Sequence, residues 1–323
     1  MKKSIAVFAA VVAFALPFAA AASAQSYPSK PIRIIVPFEA GGAMDIIARV
    51  ITKKIIDDNT AQIVVENKTG AGGAIGVMAV KDAATDGYTL AEVSSSTHVL
   101  NPHTTPNIPY DPVKDFEPVV MLVKVPTFLA VPASLPANSL RELIDLAHKN
   151  PKGLNYGSAG VGSAPHITAA LLAKATGAPM AHIPYRGLAG AMNDLVGGRI
   201  DFVFSSVPSL GGFVADGKVK LLAAAGGKRI KSFPNVPSMA ELGYPQVDVD
   251  LWFGIVAPPG TSPEIVRTLN AMFVKATNAP DLAPQLAKLG VEVATGSPAD
   301  FKKTLQSENE RLGPFVKELT SKK

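Results

Sequence analysis

IRIIVPFEAGGAMDIIARVI, residues 32–51, holds a short apolar run, two adjacent glycines and a helical pattern in immediate succession. Ile32 to Phe38 reads as a buried strand. From Asp45 to Ile56 the apolar positions Ile46, Ile47, Val50, Ile51 and Ile55 recur at helical spacing. Strand, glycine loop and helix in that order present free backbone N–H groups at a helix start, an arrangement suited to anions. The pattern repeats downstream. Gln62 to Glu66 reads as a second strand, KTGAGGAIG as a glycine turn opening a helix, and Thr89 to Val93 as a third strand. This βαβαβ order predicts an α/β fold with a largely parallel sheet.

A second α/β series occupies the middle of the chain. Thr127 to Val131 reads as a strand, and Ser139 with Glu142 forms a capping box at a helix start. LNYGSAGVGSAPHITAALLAKATG, residues 154–177, is again strand, glycine loop and helix. IDFVFSS, VKLLAAAG and WFGIVAP read as further strands, and Ser262-Pro263-Glu264 as a helix start with serine as cap. A polar amphipathic helix begins near Pro298. The C-terminal helices follow no new strand series, so they are expected to pack back on the first lobe.

Met1 to Ala24 is set aside from the fold. Lys2 and Lys3 precede an apolar stretch from Ile5 to Phe18, and Ala22-Ser23-Ala24 is a small-residue cleavage site. This is the pattern of a secretory signal peptide, cleaved after Ala24. The mature chain is therefore expected to be soluble and exported. It is long enough for two lobes. The absence of cysteine excludes disulfides, a thiolate zinc site and a thiol nucleophile. The formal charge is +5, or +3 once Lys2 and Lys3 are removed, and the basic residues are scattered. No basic run with interleaved aromatics is present, which excludes nucleic acid as the expected partner.

Enzyme motifs fail on spacing. GAGGAIG and GVGSAP lack the dinucleotide-binding pattern. GFVADGKV has Val219 where a phosphate loop needs a hydroxyl. YGSAG lacks the first glycine of a nucleophile elbow at Ser158. None of the five histidines has HExxH spacing, and no metal or cofactor is expected. Ser158 or Ser163 with His166 could form a nucleophile–base pair, but no orienting third group is evident. What remains is a pair of glycine loops, FEAGGAMD and YGSAGVGSAPH, able to hold an oxygen-rich anion by backbone N–H groups, serine hydroxyls and helix dipoles.

Around these loops the chain resembles the Bug family, the receptors of tripartite tricarboxylate transporters. The resemblance is carried in order by YPSKPIRIIVPFEAGGAMDIIAR, VVENKTGAGGAIG, NPH…IPYDPVKDFEPV, NYGSAGVGSAPHITAALL, HIPYRG, NDLVGGRIDFVF, FPNVPSMAELGYP and WFGIVAPPGTSPEIVRTLN. It implies a two-lobed periplasmic-binding-protein fold of the Venus-flytrap kind, type II. Residues 25–125 and 254–323 would form lobe 1 and residues 126–253 lobe 2. Hinges would lie near Lys124 to Thr127 and Leu251 to Gly254. The family captures small organic acids and passes them to membrane transporter subunits, through transient contact and as a monomer.

The resemblance also implies the ligand-binding residues. These are Phe38, Glu39, Ala40, Gly41 and Gly42 with Asp45 in the first loop, and Gly157, Ser158, Ala159, Gly162, Ser163 and His166 in the second. Thr97 and His98 form a third segment, and Tyr185, Arg186, Gly187 and Asp201 line the second lobe. Several have a second reading: Asp45 and His166 as helix-start residues, Arg186 as the partner of Asp194 or Asp201, and Trp252 as core. Glu39 departs from the small or neutral residue usual before the Gly-Gly of this family. Facing the cleft, it would oppose a second negative charge on the ligand; facing solvent, it would do nothing. An exported hydrolase or isomerase, or a receptor serving a sensor, is the alternative function.

Overall fold

The computed structural model describes residues 27–321, apart from 106, 231 and 250. The expected signal peptide and its cleavage site lie outside the described residues. The described residues build two sheets, and the sequence crosses between them twice. The first contains β1 (Ile32–Val36), β2 (Ile63–Asn67), β3 (Thr89–Ser94), β4 (Glu117–Lys124), β10 (Trp252–Ala257) and β11 (Glu292–Val293), in the order β2-β1-β3-β10-β4-β11. The second contains β5 (Thr127–Pro132), β6 (Leu154–Ser158), β7 (Met180–Pro184), β8 (Phe202–Ser206) and β9 (Val219–Ala224), in the order β7-β6-β8-β5-β9.

Both sheets are mixed, with most strands pointing one way. β1, β2, β3 and β4 share a direction that β10 and β11 oppose. β6, β7, β8 and β9 share one that β5 opposes. The main reversed strands, β5 and β10, are those entered just after a crossing. The two crossing segments touch, because Val125 N–H donates to the Leu251 carbonyl at 2.7 Å. Trp252 already pairs with Lys124, and Phe253 with Ser94 and Val123, so the lobe boundary expected at Gly254 falls inside β10.

Each sheet is covered on both faces, as its apolar strands require. In the first, Ile34, Val36, Leu90, Phe253 and Ile255 join a core with α1 (Ala43–Asp57) and α8 (Pro263–Thr277). The opposite face packs α2 (Ala74–Lys81) and α10 (Pro298–Ser321), through Val77, Phe301 and Leu305. Trp252 belongs to this core. Its indole N–H donates to Glu308 Oε2 at 2.7 Å, and its ring meets Phe301 edge-on at 5.3 Å. Gly254 is required beside it, since a β-carbon there would lie 2.5 Å from the Phe301 ring. Thus the C-terminal helices do return to the first sheet.

The second sheet packs α4 (Leu140–Lys149) and α5 (Ala164–Thr176) on one face, and α6 (Leu188–Val196) and α7 (Val207–Ala215) on the other. Local chemistry sets the helix starts. Ser139 Oγ accepts the Glu142 N–H, and Ser262 Oγ that of Ile265. In the capping box the Glu142 carboxylate takes the N–H of Asn138, one residue upstream of the cap. No helix among the described residues is long and apolar enough to cross a membrane.

Candidate functional site

A cleft of about 470 Å³, its mouth included, lies between the sheets. Phe38, Glu39, Gly42, Ala43, Met44, Ser94, Ser96 and Phe253 line it from the first lobe. Ala159, Pro165, Leu188 and Ser206 line it from the second, and Leu251 from the crossing segment. Four helices present their first residues to it: Gly42, Ala43 and Met44 for α1, Pro165 for α5, Leu188 for α6 and Ser206 for α7. No side chain caps α1, α6 or α7. Their first-turn N–H groups lack intrahelical acceptors, and the dipoles place partial positive charge there. The Ser206 hydroxyl is buried and without a partner. Apart from Glu39, the lining is uncharged.

The arrangement is a closed one. Ala164 N–H, on the second lobe, donates to Ser96 Oγ, on the first, at 2.8 Å. A β-carbon on Gly187 would lie 3.1 Å from the Glu39 β-carbon, and one on Gly72 would lie 2.8 Å from the Val161 carbonyl. Gly162, at φ +81°, fits against Asn101 and Thr104 of the first lobe, where any side chain would collide.

The expected residues divide by what they touch. Phe38, Glu39, Gly42 and Ala159 line the cleft. Gly187 abuts Glu39 at its edge. Tyr185 donates its hydroxyl to Asp194 at 2.6 Å, which burial and that carboxylate push up to about 12 in pKa. Ala40 and Gly41 are exposed, Gly41 at φ +80°, where glycine is favoured.

Asp45 serves the first loop from behind. Its carboxylate accepts the Gly41 N–H at 3.0 Å, Arg49 Nε at 2.9 Å and Asn67 Nδ2 at 3.0 Å. Asn67 also donates to the Phe38 carbonyl at 3.0 Å. Burial alone would raise the Asp45 pKa, but the bonds from Arg49, Gly41 and Asn67 outweigh it and hold the value below the usual range.

The second loop is braced in the same way. Ser158 Oγ accepts the Gly160 N–H at 3.1 Å and lies 2.6 Å from His182 Nε2. Ser163 Oγ donates to the Gly160 carbonyl at 2.7 Å and accepts the His166 N–H at the start of α5. His166 Nδ1 accepts the Gly162 N–H at 3.1 Å, and its ring stacks on His182 at 4.0 Å. Ser158 thus neighbours His182 instead of His166. It is fully buried, so it offers no accessible nucleophile. Gly157 is needed for packing, since a β-carbon there would strike Ile200 and Ala191.

Thr97 and His98 sit in the turn Ser96–Leu100, fully buried outside the lining. Thr97 Oγ1 donates to the Ser94 carbonyl at 3.1 Å, and the His98 ring packs on Phe116 at 4.9 Å. Burial pushes His98 down to about 3. Asp201 accepts the Asn155 N–H at 2.6 Å, while Asp194 takes Arg199, leaving neither for Arg186, which is exposed. No cluster of three His, Asp or Glu able to hold a metal occurs among the described residues. Sequence reasoning missed Ala43, Met44, Ser94, Ser96, Pro165, Leu188, Ser206, Leu251 and Phe253 as lining residues. A usable signal existed for Ser206, a serine directly before Val-Pro at a strand-to-helix junction.

Comparison with known proteins places this geometry. Residues 47–320 match the model of the tripartite tricarboxylate transporter family receptor. A protein encoded between tcbD and tcbE in Pseudomonas sp. strain P51 is 38% identical over 91% of this chain and 88% of its own. BugT of Bordetella pertussis is 35% identical over 94% of each chain. Among solved structures, periplasmic binding protein BugD superposes with a TM-score of 0.87 at 32% identity, covering 91% of this chain and 98% of that one. MatC of Rhodopseudomonas palustris, solved with malate, gives 0.85 at 31%, covering 90% and 100%. Rpa4515 of R. palustris, solved with adipate, gives 0.87 at 30%, covering 91% and 98%. These matches span both lobes and the cleft between them, and the chain belongs to the tripartite tricarboxylate transporter receptor family of periplasmic solute-binding proteins.

Proposed function

We propose that this protein, its leader removed after Ala24, captures a small organic acid in the interlobe cleft. It then hands the ligand, as a monomer and through transient contact, to the membrane subunits of a tripartite tricarboxylate-type transporter. The observation that carries the reading is the convergence of four helix starts, three of them uncapped, on a cleft with no basic side chain. Such a cleft holds a carboxylate by backbone N–H groups and the Ser206 hydroxyl. The malate and adipate in the two R. palustris structures support that ligand class.

Lobe 1 (residues 25–125 and 252–323, with β10 whole) and lobe 2 (residues 126–251) would rotate about the crossing segments. The ligand favours the closed form by touching helix starts of both lobes at once, a differential affinity that shifts the population. Asp45, Ser158, Ser163 and His166 support by holding the two loops in shape. The remaining expected residues, Ala40, Gly41, Gly157, Gly162, Tyr185, Arg186, Gly187, Thr97, His98 and Asp201, frame the cleft at longer range.

Glu39 adjusts the choice of acid. It lines the cleft, and its Oε2 lies 3.8 Å from where a β-carbon on Gly190 would sit, in the first turn of α6. Its carboxylate therefore competes with a ligand carboxylate for that helix start. The reading favours a ligand with one carboxylate over a plain dicarboxylate.

A thermal-shift screen of the mature protein against monocarboxylic, dicarboxylic, aromatic and amino acids tests this. Ligand at about 100 times Kd adds roughly 2.7 kcal/mol of stability. A melt that no acid moves overturns the reading.

A further inference from the structure

Glu92 is a glutamate in the middle of a core strand. It is fully buried, and neither carboxyl oxygen has a hydrogen-bond partner. Nearly all buried polar atoms in folded proteins are paired, so an unpaired carboxyl calls for a reason. It cannot be filling space cheaply, because a leucine would fill the same volume without the desolvation cost.

Its position supplies the reason. Side chains alternate along a strand, so Leu90, Glu92 and Ser94 of β3 share a face. Leu90 is in the core under α1, and Ser94 is in the cleft wall. Glu92 lies between them. Its cross-strand neighbour on β10 is Ile255, and the neighbour of Ser94 is Phe253, also in the wall. Thus the carboxyl stands one residue layer beneath a wall made of Ser94, Phe253 and Met44. Met44 is unbranched, with three rotors, and can turn aside. The Ser94 hydroxyl accepts only a long 3.4 Å bond from the Thr97 N–H, which leaves its proton free for a further partner.

The charges around it are mostly acidic. On α1, Asp45 adds to the burial that raises the Glu92 pKa, and Arg49 is engaged with Asp45. On β1, Arg33 is exposed and paired with Glu66. β10 carries no charge, and Glu264, Arg267 and Lys275 of α8 are exposed. Glu39 lies in the same wall. The first-lobe wall thus has two carboxyl groups at or just beneath it and no cation, opposite helix starts that suit a carboxylate.

We infer that Glu92 is the deep end of the binding site and receives a protonated amine of the ligand, so that the preferred ligand is a carboxylic acid bearing an amine. This rests on the binding-protein reading and narrows its ligand class. In the empty protein burial, with Asp45 adding to it, pushes the Glu92 carboxyl well above the usual carboxylate range and so favours its neutral form. When the ammonium docks, Glu92 releases its proton to solvent and the two charges pair. Binding of an amine-bearing acid therefore releases a proton and tightens as pH rises.

Matched probes test it: propionate against β-alanine, butyrate against γ-aminobutyrate, and valerate against δ-aminovalerate. Each is titrated by calorimetry into the mature protein and into Glu92→Leu and Glu92→Gln, in buffers of different ionisation enthalpy. The expected result is tenfold or tighter binding of an amine member over its amine-free partner, with proton release. Both variants should lose that preference and the release, and Glu92→Leu should melt higher without ligand. Glu92→Gln guards against a folding defect in the leucine variant. The inference is overturned if the amine-free acids bind equally well, or if the variants keep the amine preference. If no acid of either kind binds, the binding-protein reading itself fails.

Discussion

Glu39 and Gly187 meet across the cleft. A β-carbon on Gly187 would lie 3.1 Å from the Glu39 β-carbon and 3.2 Å from its backbone nitrogen. Gly187 is extended, at φ −175°, so its backbone does not require glycine. The small size serves the approach of the lobes. Gly187→Ala should therefore leave the ligand-free melting temperature nearly unchanged and weaken ligand binding by about threefold to tenfold, about 0.7–1.4 kcal/mol. Calorimetric titration beside a thermal melt separates the two effects.

Glu39→Ser removes the carboxylate that competes at the start of α6. Dicarboxylates should gain about tenfold in affinity, about 1.4 kcal/mol, relative to monocarboxylates. A ligand ranking identical to that of the wild type would sink the selectivity role of Glu39.

Asp45→Ala should destabilise the protein by about 2–4 kcal/mol, since it strips the Gly41 N–H, Arg49 and Asn67 of a charged acceptor. The folded value of Asp45 lies below the usual 3.8, so its contribution is intact above about that pH. It is lost as the pH falls through the lower folded value. Denaturant melts of wild type and variant should converge in strong acid.

His98 sets the acid side at higher pH. Its folded value falls from 6.5 to about 3, so the unfolded chain binds the proton more tightly. Stability should drain as pH falls from about 6.5 toward 3, by on the order of 4 kcal/mol in full. His98→Phe keeps a ring against Phe116 and Tyr110 and should flatten the stability profile over that interval.

The units that could be read from sequence were the local ones. β1, the glycine pair and α1 are contiguous, and the switch from apolar run to helical spacing marks them. The Ser139 cap is likewise a matter of neighbouring residues. β4 is not legible in the sequence, because Pro118 stands near its start and its apolar run flows through Val125-Pro126 into β5. The buried turn Ser96–Leu100 has no sequence period of its own. The cleft wall was harder still. Ser94, Ser206 and Phe253 come together only because both lobes aim strand ends and helix starts at one space, and no spacing encodes that. Polar residues in the glycine loops read in sequence as ligand contacts, yet Ser158, Ser163 and Asp45 direct their hydrogen bonds to the loops themselves. Trp252 lies in the core with its indole on Glu308, so its fluorescence should report unfolding more strongly than occupancy.

Leu251 lines the cleft, and its carbonyl also holds the Val125 N–H where the two crossing segments run side by side. In the proposed rotation about these segments, fulcrum and load would be one residue. Whatever presses on the Leu251 side chain would bear on the axle directly, and closure would need no relay through the body of either lobe.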